Sequence, residues 1–338
     1  VPTVSIREVA LQAGVSVGTV SNALNSPEKV AEATLQRVQQ AIESLGYVRN
    51  DAARQLRAGT SRSIGFIVLD VANPFFTDVA RGAQAASAEV GLNVLLGTSD
   101  HDPAKELAYL DLFEQQRVQG VLFTPIDTDA EGLDRLHRRG VPIVLVDHPT
   151  EDPRFCSVAV DDVAGGEMAV RHLLEQGRRR IVMLAGPPGI RQVAQRTEGA
   201  RRAVAAVPDA RLEVLPTPSL TVLEGRAAGA ALADRAPQDQ PDAVFAANDL
   251  LAVGCLQGLS LMGRPRRREP VALIGYDDID FASATVVPLS SIRQPKELLG
   301  RTAVELLLAQ VAGGPGARAV HHVFQPELVV RESSTRGV

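Results

Sequence analysis

Ser5-Ile6-Arg7-Glu8-Val9-Ala10-Leu11-Gln12-Ala13-Gly14-Val15-Ser16-Val17-Gly18-Thr19-Val20-Ser21-Asn22-Ala23-Leu24-Asn25 reads as two short helices around a glycine turn. Ser5 and Glu8 have the spacing of a capping box and precede apolar Val9 and Ala10. The first helix is predicted to run to about Ala13 and stop at Gly14. Ser16 can then cap a second helix continuing from Val17 to Leu24. Small Ala10 lets the two helices approach closely, and Val15 and Val20 would pin their angle. The pattern is that of a helix-turn-helix, and it also fits an αα-corner of a helical bundle. A third helix, from about Ala31 to Leu45, presents Leu35, Val38, Ile42 and Leu45 at helical spacing. Gly46 ends it, and the three together make a small domain of marginal size.

Further along, Asn50-Asp51-Ala52-Ala53-Arg54-Gln55-Leu56-Arg57-Ala58 reads as a short helix too small to stand alone in water. Gly59 to Ser63 follows as a flexible joint. The pattern changes at Ile64. Apolar runs Ile64–Leu69, Val94–Leu96, Gly120–Phe123 and Ile143–Val146 alternate with helical segments at 77–90, 105–116 and 131–138. Such alternation is βα units of a parallel, doubly wound sheet. After Asp161 it restarts: strands at 181–184, 212–215, 243–246 and 271–277, helices at 165–176, 195–206, 225–233 and 250–262. Two α/β lobes in series imply a cleft between them, at the carboxyl ends of the strands. The expected division is a headpiece at 1–49, a hinge helix and linker at 50–62, and a body at 63–338. The body's first lobe takes about 63–161 and 291–321, its second about 162–290 and 322–338.

At 338 residues, 45% hydrophobic and 22% charged, the chain suits two or three soluble domains. No apolar run reaches the roughly 18–20 residues that span a bilayer. The N-terminus lacks a signal-peptide pattern, so a cytoplasmic location and no membrane partner are expected. Cys156 and Cys255 lack metal-ligand spacing and read as buried thiols. The net charge is −5, which by itself argues against nucleic acid. Yet residues 1–62 hold seven Arg/Lys against five Asp/Glu, a basic head on an acidic body.

Ile6-Arg7-Glu8-Val9-Ala10, Ala13-Gly14-Val15-Ser16-Val17, Thr19-Val20-Ser21, Leu24-Asn25 and Ala41-Ile42-Glu43-Ser44-Leu45-Gly46-Tyr47 match, in order and spacing, the headpiece of the lactose-repressor (LacI/GalR) family of bacterial transcription regulators. The resemblance implies that the second helix enters the major groove of operator DNA. By position the base readers would be Val17, Gly18 and Asn22, with Ser16, Thr19, Ser21 and Asn25 nearer the phosphates. Position 22 is commonly Arg in the family; Asn22 suits adenine N6/N7 rather than guanine, and Gly18 offers no side chain. Ala31 stands in place of a usual Ser and gives up a cap worth about 0.5–2 kcal/mol. The 50–58 helix is then implied to fold on the operator, pair with a partner subunit and wedge Leu56 into a minor-groove step. Arg49, Arg54 and Arg57 would meet phosphates there; an ordinary linker is the other reading of this segment.

The body resembles periplasmic sugar-binding proteins over its whole length, with ribose-type binders offering the nearest pocket match. The implied effector residues are Asn73, Phe75, Phe76, Asp147, His148, Arg196, Asn248, Asp277 and Gln294. Carboxylates accept sugar hydroxyls, a guanidinium donates from a planar fork, and side-chain amides do both; a phenylalanine can stack on the ring. Asp147 and Asp277 could also cap the following segments, Asn248 or Asp249 could be a helix N-cap, and one phenylalanine could belong to the core. His148 departs from the Arg usual in ribose binders. Gly186-Pro187-Pro188-Gly189 lacks the Lys-Ser/Thr of a P-loop, the Arg runs at 178–180 and 264–268 read as solvated loops, and no catalytic elbow or zinc spacing appears.

The expectation is an all-α helix-turn-helix headpiece plus an α/β, periplasmic-binding-protein-like body of two doubly wound parallel-sheet lobes. Functionally that is a transcription regulator, not an enzyme, with no cofactor or metal. Its partners would be operator double-stranded DNA, a small sugar or derivative, and a second copy of itself (a tetramer is also open). A regulator driven by a phosphocarrier protein, one driven by a non-sugar metabolite, and a sugar-transport protein are the alternatives.

Overall fold

The computed structural model describes residues 4–47, 61–126, 131–261, 270–314 and 318–335. Two compact units appear, Val1–Ser61 and Arg62–Val338. In the first, α1 (Ile6–Ala13), α2 (Val17–Asn25) and α3 (Glu32–Leu45) surround a core of Val9, Ala10, Ala13, Val20, Ala23, Val38 and Ala41. The capping box forms as the spacing predicts: Ser5 Oγ accepts from the Glu8 amide, and the Ser5 amide donates to the Glu8 carboxylate. Gly14 takes the left-handed conformation (φ 65°) that ends α1. Ala31 precedes α3 with no side-chain cap. Of the four apolar residues expected to close the core from α3, Val38 is fully buried, while Leu35, Ile42 and Leu45 pack around the rim. The expected hinge helix, with Arg49, Arg54, Leu56 and Arg57, lies outside the described residues.

The second unit opens with β1 (Ser63–Val68), α4 (Pro74–Glu89), β2 (Asn93–Thr98), α5 (Pro103–Gln115), β3 (Val121–Phe123), α6 (Glu131–Arg138), β4 (Ile143–Val146) and β5 (Cys156–Val160). It continues with α7 (Asp162–Glu175), β6 (Arg180–Ala185), α8 (Arg191–Ala205), β7 (Arg211–Pro216), α9 (Val222–Ala233), β8 (Ala243–Ala246), α10 (Asp249–Leu261) and β9 (Ala272–Asp277). It closes with α11 (Asp280–Ser283), β10 (Ser290–Arg293), α12 (Lys296–Gly313), β11 (His321–Phe324) and β12 (Glu327–Val329).

These strands form two six-stranded sheets, ordered β11-β5-β4-β3-β1-β2 and β12-β10-β9-β8-β6-β7. All pairings are parallel except the edge pair β10–β12. The central strands are buried on both faces, which is why they read as unbroken apolar runs. The chain passes between the sheets after Val160, after Arg293 and after Phe324. The last two passages come later than the expected 291 and 322. Residues 290–293 still pair with β9 along the register Ser290↔Ile274 to Arg293↔Asp277. Likewise 321–324 pair with β5 before the chain leaves. Among the described residues no helix is long and apolar enough to cross a membrane.

Candidate functional site

On α2, Val17, Gly18 and Asn22 face solvent, with Val17 41% exposed. Val20 and Ala23, on the opposite side of the same helix, fill the core. An apolar residue left exposed beside a polar one at the start of a helix is the form of a contact surface. Ser16 Oγ accepts from the Thr19 amide at 3.0 Å and lies 2.9 Å from Thr19 Oγ1, so both hydroxyls serve the cap. Asn25 Nδ2 donates to the Ser21 carbonyl at 2.8 Å, fixing its amide along the helix.

The second feature is a cavity of about 510 Å³ between the two sheets of the body. Asn73, Phe75, Phe76, Asp147, Arg196, Asn248 and Asp277 all line it. Each stands at or just beyond a strand end or on the first turns of the helix after it. Asn73 caps α4 by accepting from the Phe75 amide at 3.1 Å, which presents Phe75 and Phe76 edge to face with centroids 5.0 Å apart. Both rings are buried, and both border the cavity.

Arg196 organises the floor. Its Nε donates to Asp162 at 2.7 Å, its Nη1 donates to the Ala247 carbonyl at 2.6 Å, and Asp277 Oδ1 lies 3.9 Å from Nη1. The guanidinium stacks 3.7 Å over the Tyr276 ring. A Cβ on Gly166 would strike the Arg196 backbone, so the close approach of α7 to α8 holds Arg196 in place. Burial drives the Arg196 pKa down, but Asp162, Tyr276, Asp277 and Asp147 outweigh it and hold it above its usual range.

Three carboxylates around one guanidinium leave the floor electronegative. Burial, reinforced by Asp162, pushes Asp147 well above the usual carboxylate range. Burial likewise lifts Asp277 to about 6, against the pull of Arg196 and a hydrogen bond from Gln294. Both aspartates adopt left-handed backbone, φ 56° and 105°, a conformation that costs free energy and gathers at functional sites. Asp147 Oδ1 is buried with no hydrogen-bond partner among the described residues.

Two expected residues stand behind the wall instead. His148 is buried, and its Nε2 lies 3.1 Å from Arg191 Nη1; the β4 turn that points Asp147 into the cavity turns its neighbour away. Gln294 is buried behind Asp277 and donates to its Oδ1 at 2.7 Å, so it positions that carboxylate rather than lining the space. Asn248 borders the cavity with its amide already engaged: Oδ1 caps α10 through the Leu251 amide, and Nδ2 donates to the Leu220 carbonyl.

The sequence reading missed Gln192 and Asp162. Gln192 Nε2 donates to the Asp147 carbonyl and to Asp147 Oδ2 at 2.8 and 3.0 Å, joining the two lobes. It sits on the first turn of α8, directly after the Gly186–Gly189 loop, which also lines the cavity. That strand-end position was the available signal.

Residues 5–50 match the family model described as bacterial regulatory proteins, lacI family, and residues 170–334 match a periplasmic binding protein-like domain. The HTH-type transcriptional regulator CelR of Thermobifida fusca is 36% identical over 339 residues, covering 97% of this chain and 98% of that protein. The HTH-type transcriptional repressor PurR of Photobacterium profundum is 32% identical over 335 residues, with the same coverage. A solved CelR–cellobiose complex is 33% identical and superposes with a TM-score of 0.69 over 98% of this chain and 99% of that one. With an exposed second helix on the head, a cavity between the lobes of the body and full-length relatives above 30% identity, the chain belongs to the lacI family of bacterial regulatory proteins, DNA-binding transcription regulators that respond to a ligand.

Proposed function

We propose that this regulator is a homodimeric repressor controlled by a small, uncharged sugar in the interlobe cavity. The observation that carries the reading is Asp147 Oδ1, buried and without a donor among the described residues, beside Asp277 and opposite the Arg196 guanidinium. A buried acceptor left unpaired costs free energy that a ligand hydroxyl recovers. Arg196 is already committed to Asp162 and Asp277, which leaves Arg191, at the cavity rim beside His148, as the lining guanidinium set against three carboxylates. Phe75 and Phe76 supply the apolar face on which a sugar ring stacks. The cellobiose bound to CelR supports a carbohydrate of this kind.

On the DNA side, Val17, Gly18 and Asn22 would meet base edges and Ser16, Thr19, Ser21 and Asn25 the backbone, with Asn22 favouring adenine. Two heads would bind two half-sites of a pseudo-palindrome. The dimer face would take α4 and the segment Ile279 to Val287. Phe281 at 65%, Val286 at 101% and Val287 at 37% exposure support that reading, because open apolar side chains gathered on one segment form the kind of patch that marks an interaction surface.

A thermal-shift series with D-ribose, D-glucose, cellobiose and glucose 6-phosphate tests the ligand. At least one neutral sugar is expected to raise Tm, and Asp277→Asn to abolish the rise. A rise with the phosphate alone would overturn the uncharged reading. A regulator driven instead by a phosphocarrier protein would keep its DNA response in Asp277→Asn.

A further inference from the structure

We propose that Lys296 is the positioning residue that ties the cavity-facing Asp277 to α4, the first helix of the body, so that the state of Asp277 sets the local stability of that helix. The proposal rests on the reading of Asp277 as an effector-facing group.

Lys296 opens α12, immediately after the chain passes between the lobes at Gln294-Pro295. Its side chain is largely buried, and its ammonium has two partners. On one side it donates to the Asp278 carbonyl at 2.9 Å; on the other it pairs with Asp78 Oδ2 of α4 at 3.0 Å. A largely buried ammonium shared between two lobes is a poor choice for stability alone, since desolvation offsets much of the attraction. It is a good choice for making one segment feel the other.

The lobe 2 end of this link is the turn that carries Asp277. Asp277 and Asp278 are consecutive non-glycine residues with left-handed backbone, φ 105° and 49°. Such a turn persists only where its surroundings over-determine it. The Asp278 carboxylate is held by Arg293 at 2.8 Å and Arg331 at 2.7 Å, and the Asp278 amide donates to Ser291 Oγ at 3.0 Å. Those partners all belong to lobe 2. The carbonyl, through Lys296, is where the turn meets α4. Two residues earlier, Gln294 grips the Asp277 carboxylate itself. Lys296 is also close enough to act on Asp277 electrostatically: burial raises that carboxyl to about 6, while Arg196 and, less strongly, Lys296 draw it down.

The other end is equally committed. Asp78 pairs with Arg81, which also reaches Glu297 of α12 at 3.1 Å. Gly82 and Gly300 have no room for a Cβ: it would collide with the Glu297 and Val79 backbones respectively. Helices α4 and α12 therefore pack backbone against backbone. The first turn of α4 is also the part of lobe 1 that presents Asn73, Phe75 and Phe76 to the cavity. One helix thus touches the cavity directly at its start and is joined to the opposite wall through Lys296 in its second turn.

Hydrogen–deuterium exchange on the full-length protein tests this without a ligand. Asp277→Asn, which removes the charge from the opposite wall, is expected to change amide exchange across residues 76–86 by about twofold or more, the scale of coupled neighbours. In a Lys296→Met or Asp78→Asn background the same substitution should leave those amides unchanged, whereas Lys296→Arg, which keeps the charge, should restore the effect. An Asp277→Asn effect absent from α4, or equal in size with and without Lys296, would overturn the proposal. Should Lys296→Met not fold, Asp78→Asn cuts the same link from the other side. Because no effector enters the measurement, a negative result removes the role of Lys296 and leaves the sugar reading standing, while failure of every sugar to bind does the reverse.

Discussion

At the scale of single residues, the cavity is governed by one buried guanidinium, Arg196, set among three carboxylates. Arg196 is buried against Asp162 and Asp277, and removing it strands those charges. Arg196→Ala is expected to lower unfolding free energy by about 3–5 kcal/mol, read from urea denaturation. Asp277 carries a pH signature whose sign follows from its raised pKa. Between its ordinary 3.8 and about 6 the folded protein binds a proton that the unfolded chain has lost. Its contribution therefore favours folding at the acidic end of that window and is withdrawn as pH rises through it. At 1.36 kcal/mol per unit the swing is about 3 kcal/mol, and Asp277→Asn should remove it from the pH dependence of urea stability. An ionised carboxylate accepts from a sugar hydroxyl more strongly than a protonated one, so sugar affinity should weaken as pH falls through about 6. Asp147 and Asp277 were legible from sequence because each ends an apolar strand run. Gln192, on the first turn of the helix after β6, follows a strand end too, but a proline-rich loop separates it from the apolar run. His148 was placed in the pocket because it stands where ribose-type binders tend to have Arg, and the β4 turn sends it elsewhere.

At the scale of elements, α2 combines a buried face and an open one within nine residues. Asn22→Ala is expected to weaken operator binding by about 1–3 kcal/mol with little change in Tm, measured by fluorescence anisotropy; equal affinity would remove Asn22 from base reading. The close contact of α4 with α12 gives a separate test. Gly300→Ala places a methyl against the Val79 backbone and should cost about 1–3 kcal/mol of stability. The head helices were legible because capping box, glycine stop and helical period agree. The body helices were read as starting late: α4, α5, α7 and α9 begin at caps Asn73, Asp102, Asp161 and Thr221, before their apolar rhythm is visible. Helix α12 went unread, because leucines and alanines on nearly every side, with Gly300 among them, blur the period of a helix buried against both sheet and α4. The short strand β5 was hidden because Ser157 interrupts the unbroken apolar run that marks the other buried strands.

At the scale of the whole molecule, a DNA-reading head and a two-lobed body in one chain make sense only if the cavity and the operator affect each other. Allosteric linkage of this kind is typically about 1–3 kcal/mol, a change of roughly 5–150-fold in affinity, and it is reciprocal: operator DNA must shift sugar affinity by the same factor. The measurement that bears on this most directly is an anisotropy titration of the full-length protein against a duplex selected from random DNA. It is run with and without whichever neutral sugar raises Tm most. The expected result is a pseudo-palindromic duplex whose Kd moves about 5-fold or more when the sugar is present. A Kd that does not move while the sugar demonstrably occupies the cavity, or a selection that enriches no symmetric sequence, would contradict it.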